Sequence, residues 1–207
     1  MGKVLFMRKG ETHTAPNHGL PSGYTPLAYI ESSGTQYINT GFKPNNNTRV
    51  LLDADYTKIG TWICLFGAED DSNLTNGFEL WETESQAISF YYGSATNMVQ
   101  TIPTSGRHVF DCDKNVYKVD NSITLTNGAA TFSCANSLYL FAILRSGSVE
   151  FKSAYKLYSC QIYDNDVLAR DFVPCINASG EVGLYDLVGQ QFYGNAGIGT
   201  FTGSEVA

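Results

Sequence analysis

In the stretch Arg49-Val50-Leu51-Leu52-Asp53-Ala54-Asp55-Tyr56, Val50, Leu52, Ala54 and Tyr56 alternate with Arg49, Leu51, Asp53 and Asp55. A period of two belongs to a half-buried strand, because successive side chains leave a strand on opposite sides. Outward from it, similar runs bounded by Gly, Asn or Asp occupy Trp62–Gly67, Gly77–Glu82, Ala87–Tyr92, Arg107–Cys112, Val116–Val119, Ser137–Leu144, Ala154–Tyr163 and Val167–Phe172. No segment carries a sustained apolar stripe at helical spacing. Asp113-Lys114-Asn115 and Asp120-Asn121 supply residues that tolerate positive φ, so residues 107–125 are predicted as three consecutive antiparallel strands. Residues 183–195, GLYDLVGQQFYGN, are predicted as a hairpin turning near Gly189 and packing back on the domain.

The chain of 207 residues is 43% hydrophobic and 13% aromatic, enough apolar surface to offset chain entropy in one large core. Twenty Gly and only 16% charged residues suit short strands joined by tight turns. Many short strands without βα alternation leave an all-β sandwich or barrel, and the length favours a two-sheet antiparallel jelly roll. Residues 1–23, polar and carrying Pro16, Gly19, Pro21 and Gly23, are expected to form an N-terminal arm or assembly segment, with the sandwich over 24–207.

A net charge of -7 with no Lys/Arg run argues against nucleic acid as a partner. The apolar stretch Val4–Met7 ends at Arg8 and Lys9 and is too short for a signal-peptide core, and no segment is long enough to span a bilayer. The expectations are synthesis in the cytosol without a signal peptide, and no membrane partner. Five Cys (Cys64, Cys112, Cys134, Cys160, Cys175) are odd in number, with no C-x-x-C and no His at zinc-ligand spacing. Four of them lie inside apolar runs, so buried free thiols are expected. His13, His18 and His108 form no triad by spacing.

The segments RHVFDCDKNVYKVDNSITL (107–125), SLYLFAIL (137–144) and KLYSCQIYDNDVLARDFVPC (156–175) together resemble the concanavalin A-like or laminin G-like jelly-roll superfamily. More narrowly, YTPLAYIESSGTQYINTGF (24–42) and NASGEVGLYDLVGQQFYGNAGIGTF (177–201) resemble segments of phage or prophage tail and surface proteins of gut bacteria. The resemblance implies a lectin/glucanase-type sandwich in a virion or tail-associated setting. Its members include lectins, glycosidases, adhesion modules and structural decorations, so the fold does not select among these functions.

Three constellations bear on chemistry. Glu79-Leu80-Trp81-Glu82-Thr83-Glu84 approaches the E-x-D-x-(x)-E motif of some concanavalin A-like glycosidases, whose retaining reaction needs two carboxyl groups about 5 Å apart. The middle Asp is missing, and an ideal strand turns Glu79 away from the face shared by Glu82 and Glu84. No catalytic residue is therefore assigned, and Glu82, Thr83 and Glu84 are expected as a solvated strand end. The chain is expected not to be an enzyme. Glu69, Asp70, Asp71 and Asn73 offer four oxygen ligands within five residues and form a candidate calcium site, although no cofactor is required. Trp62, Trp81, Tyr91 and Tyr92 lie on neighbouring runs and form the candidate ligand-binding set. Since Tyr91 and Tyr92 face opposite ways, one of them must be exposed or covered by a loop.

The reading is a non-catalytic binding module of a phage or prophage structural protein that recognises a glycan or host-surface polysaccharide. Its other expected partners are virion proteins or sister chains in a homo-oligomer, with a trimer as first expectation. The alternatives are a structural decoration that makes protein contacts, and a glycoside hydrolase.

Overall fold

The computed structural model describes residues 19–57, 61–71, 73 and 75–206, so most of the expected N-terminal arm lies outside the described residues. The chain enters through β1 (Thr25–Glu31) and the two-residue β2 (Ile38–Asn39), then lays down β3 (Thr48–Tyr56). One meander follows in β4 (Ile63–Glu69), β5 (Phe78–Glu82), β6 (Ile88–Tyr92) and β7 (Met98–Thr101), and a second in β8 (Gly106–Asp113), β9 (Val116–Val119) and β10 (Ile123–Thr126). Short strands β11 (Tyr139–Leu140), β12 (Ile143–Arg145) and β13 (Ser148–Glu150) lead to β14 (Tyr155–Asp164) and β15 (Val167–Ile176). Strands β16 (Val182–Asp186), β17 (Gln191–Tyr193) and β18 (Thr202–Glu205) complete the fold. Every regular element among the described residues is a strand.

The strands form two sheets packed as a jelly-roll-like β-sandwich. A ten-stranded sheet runs β10-β9-β8-β3-β14-β1-β15-β16-β17, with β18 added on β1. The eight-stranded sheet runs β13-β12-β4-β5-β6-β7, with β11 pairing β4 and carrying β2. Pairing is antiparallel except between β4 and β12, which run parallel from Ile143↔Gly67 to Arg145↔Glu69. The core lies between the sheets, with Val50, Leu52, Phe110, Leu157 and Phe172 from one meeting Phe66, Phe78, Leu80 and Phe90 from the other.

Strand β3 shows the alternation its sequence predicts, with Val50, Leu52, Ala54 and Tyr56 buried. Its other face is half-buried rather than open to water. There Arg49 pairs with Asp111 at 2.7 Å and Asp53 with Arg107 at 2.8 Å across the β3–β8 register. The predicted turns hold: Lys114, Asp120 and Asn121 take φ of 54°, 51° and 54° between β8, β9 and β10. The hairpin near Gly189 is β16–β17, and it belongs to the ten-stranded sheet.

The predicted strand Ser137–Leu144 divides into β11 and β12. Phe141, between them, takes φ of 67°, a conformation that ends an extended run, and its ring stacks on Tyr155 at 4.1 Å inside the core. All five cysteines are free and buried. Burial raises their thiol pKa values, with Cys134 and Cys175 each pushed up to about 12.

Candidate functional site

Strands β4, β5 and β6 are buried along their whole length, which a two-layer sandwich does not require of its outer face. Part of the explanation is a bulge in β4. The pairing with β5 slips between Cys64 and Phe66, so Leu65 and Phe66 both serve the main core while Cys64 turns outward. Beyond the bulge the alternation resumes and puts Gly67 and Glu69 on the outer face. Opposite them, Phe78, Leu80, Phe90 and Tyr92 point into the core, and Glu79, Trp81 and Tyr91 point out.

The rest of the explanation is a cover. Cys64, Trp81, Tyr91 and Ile143 form a second apolar cluster, with Phe151 packed against it from the segment after β13. Two hydrogen bonds pin that segment: the Cys64 amide donates to the Phe151 carbonyl at 2.8 Å, and Ser153 Oγ donates to the Cys64 carbonyl at 2.7 Å. Phe151 itself takes φ of 48°, a left-handed conformation that costs a non-glycine residue about 1 kcal/mol or more. The backbone carries this cost while presenting the Phe151 ring to Trp81 at 4.6 Å.

Trp62, Trp81, Tyr91, Arg145 and Phe151 line a cleft of 290 Å³ on this face. Trp62 is 43% exposed and Trp81 only 3%; their rings meet edge to face at 6.0 Å and 79°. The Arg145 guanidinium lies 5.5 Å from the Trp81 ring centre and 5.1 Å from that of Phe151. Its Nε is ion-paired with Glu69, and its Nη1 lies 3.6 Å from Glu150. A planar cation between two aromatic faces, tethered by a buried carboxylate, has little freedom to swing away.

Glu79 sits under the cleft with no exposed surface. The Trp81 Nε1–H donates to its Oε2 at 2.5 Å, and Oε1 has no hydrogen-bond partner. Burial, only partly offset by the Trp81 hydrogen bond, raises the Glu79 pKa well above the usual carboxylate range and favours the protonated carboxyl. Glu82 corrects the expectation of a solvated strand end: it is fully buried on the core side of β5, whereas Glu84 lies in the exposed turn that follows.

Three of the four candidate aromatics, Trp62, Trp81 and Tyr91, therefore meet in one cleft. Tyr92 does not join them. Its ring is in the main core and its hydroxyl donates to the Asn46 carbonyl at 2.7 Å. Tyr91 is the member of the pair on the outer face, buried in the second apolar cluster against which Phe151 packs. Arg145, Phe151, Glu69 and Glu79 complete the site and were not assigned to it from sequence. The signal for Glu79 was present, since residues i and i+2 of a strand share a face and Glu79 stands two residues before Trp81.

The calcium candidates do not converge. Glu69 faces the cleft and Arg145. Asp70 accepts hydrogen bonds from the Ala135 amide at 2.6 Å, Cys134 Sγ and Asn76 Nδ2. Burial opposes its charge, but those hydrogen bonds win and hold its pKa below the usual carboxylate value. Asp71 Oδ1 accepts from the Asn73 amide at 2.8 Å. Among the described residues no group of three or more His, Cys, Asp or Glu side chains is placed to hold a metal ion.

No family model and no curated protein matches the chain. Among solved structures it is similar to a point mutant of the NanB sialidase from Streptococcus pneumoniae, with TM-score 0.44 and 14% identity over 70% of this chain and 27% of that one. NanB with Optactamide gives TM-score 0.44 and 14% identity over 69% of this chain and 27% of that one. NanB in complex with a chlorobenzylammonio-ethanesulfonate gives TM-score 0.43 and 14% identity, again over 70% and 27%. The chain thus spans 27% of the length of these sialidase chains. Against the expectation that the chain is not an enzyme stands the finding that these similar structures are those of a sialidase.

Proposed function

We propose that the cleft walled by Trp62, Trp81, Tyr91 and Phe151 binds carbohydrate. One observation carries the reading: Trp62 is an indole 43% exposed, standing against Trp81 at the mouth of an otherwise aromatic cleft. A sugar ring offers an apolar C–H face to stack on such a surface and hydroxyls to accept hydrogen bonds from a fixed donor. Arg145 is that donor. At 290 Å³ the cleft falls just below the usual range for ligand sites, roughly 300 to 1,000 Å³, a size suited to one or two sugar rings of a longer chain.

Single sugar contacts are weak, and display of several copies strengthens them through effective concentration. In the tail or surface-protein setting implied by the sequence resemblance, sister chains in a homo-oligomer would supply those copies. The test is an oligosaccharide panel read by tryptophan emission and calorimetry. Binding that is lost in Trp62→Ala supports the reading, and a panel that produces neither emission change nor heat rejects it.

A second reading, glycoside hydrolysis, is favoured by Glu79. Burial raises the pKa of this carboxyl beneath the aromatic cleft, the direction a general acid needs, and with no exposed surface it would have to be uncovered to reach a glycosidic oxygen. Release of reducing ends from polysaccharide by the native protein, lost in Glu79→Gln, is its test. No release from any substrate of the panel rejects it.

A further inference from the structure

We propose, resting on the carbohydrate reading, that the cleft selects uncharged saccharides and rejects acidic ones. A cleft containing an arginine looks at first like an anion site, and the placement of its charges argues the opposite. Arg145 lines the cleft, but Glu69, with no exposed surface, holds its Nε, and Glu150 lies 3.6 Å from its Nη1. One cation therefore faces two anions. Glu79 adds no charge while it keeps its proton. Lys152, from the same segment as Phe151, turns its Nζ toward the Val149 carbonyl at 3.4 Å.

A carboxylate or sulfate entering the cleft would meet an arginine whose charge Glu69 and Glu150 already offset, and could take its Nε only by displacing Glu69. Breaking a buried pair leaves Glu69 charged and uncompensated, so the exchange is unfavourable. It would also approach Glu150, whose side chain is 40% exposed at the rim. An uncharged ring meets neither penalty. A guanidinium carries five N–H donors, and with Nε committed to Glu69 and Nη1 directed toward Glu150, Nη2 remains to donate to a hydroxyl or an N-acetyl oxygen. The aromatic faces of Trp81 and Phe151 keep Arg145 in that orientation. A chain with net charge -7 repels polyanions at long range as well.

The experiment is an array of matched pairs, each uncharged oligosaccharide beside its uronic-acid or sulfated counterpart, probed with the full chain and with Glu150→Gln. The native protein is expected to bind uncharged members only. Because Glu150 is at the rim, Glu150→Gln should keep the fold and improve the ratio of acidic to uncharged binding by roughly twofold to fivefold, the worth of one exposed charge contact. Glu69→Gln, which retains an acceptor for Arg145, should shift the ratio in the same direction and further. Native binding that favours the acidic members, or a ratio unmoved in both variants, overturns this inference and leaves carbohydrate binding standing. A silent array overturns both.

Discussion

The Trp81 indole N–H donates to Glu79 Oε2 at 2.5 Å, two residues back on the same outer face of β5. Trp81 is thereby fixed from below by a carboxyl and from the sides by Phe151 and Trp62. The arrangement holds the inner wall of the cleft rigid while the outer wall, Trp62, stays open to solvent.

Glu79 should make stability fall as pH rises. Its folded pKa lies well above the ordinary 4.5, so the unfolded chain gives up this proton at a pH where the folded chain still holds it. The favourable contribution is complete below the ordinary value and is lost progressively as pH rises toward the folded value. Glu79→Gln keeps an acceptor for Trp81 and removes the titration. Urea midpoints of the two proteins should agree near pH 4 and diverge at neutral pH, with Glu79→Gln the more stable. Parallel curves would show that Glu79 is ionised in the fold.

Arg145→Ala should cost about 3 to 5 kcal/mol, the penalty of leaving a buried carboxylate without its partner. Glu69 has no exposed surface, and its Oε2 already lacks a hydrogen bond. The double variant Arg145→Ala with Glu69→Gln should recover much of that loss, because it removes the stranded charge. A double-mutant cycle in chemical denaturation checks this. Additive losses would mean that the pair is not coupled.

Much of the fold was legible because it rests on local pattern. The alternation of β3 and the turn chemistry at Lys114, Asp120 and Asn121 needed no distant contact to be read. The site was half legible. Trp62, Trp81 and Tyr91 stood out as aromatics on neighbouring strands, but Tyr92 went to the core by parity. Arg145 and Phe151 arrive from 76 and 87 residues away, through the parallel β4–β12 pairing of Arg145 with Glu69 and the Phe151–Cys64 hydrogen bond, and no local period records such contacts. The bulge at Leu65 was equally silent, since a run in which every residue is apolar does not show where its alternation slips.

At Gly67 the residues of this outer face crowd the backbone. A Cβ there would stand 2.8 Å from Cys64 Sγ, 3.0 Å from Glu79 Cβ and 3.1 Å from Ile143 Cδ1. Gly67→Ala should therefore destabilise the domain by about 1 to 3 kcal/mol through overpacking. It should also alter tryptophan emission, because Glu79 and Ile143 support Trp81. A urea midpoint equal to that of the native protein would show that the outer face is looser than these distances indicate.

The chain has two tryptophans, and both are in the cleft, so intrinsic fluorescence reports on the proposed site alone. The most direct test is titration of uncharged oligosaccharides into the native protein and into Trp62→Ala, following emission. Trp62 is 43% exposed, and its truncation costs chiefly the edge-to-face contact with Trp81, about 0.5 to 1.5 kcal/mol, so a folded variant is expected. The account predicts a saturable emission change in the native protein and at least about tenfold weaker binding in the variant, the loss of a stacking contact worth about 1.4 kcal/mol. Saccharide binding that survives unchanged in Trp62→Ala would contradict it and put the carbohydrate site elsewhere on the molecule.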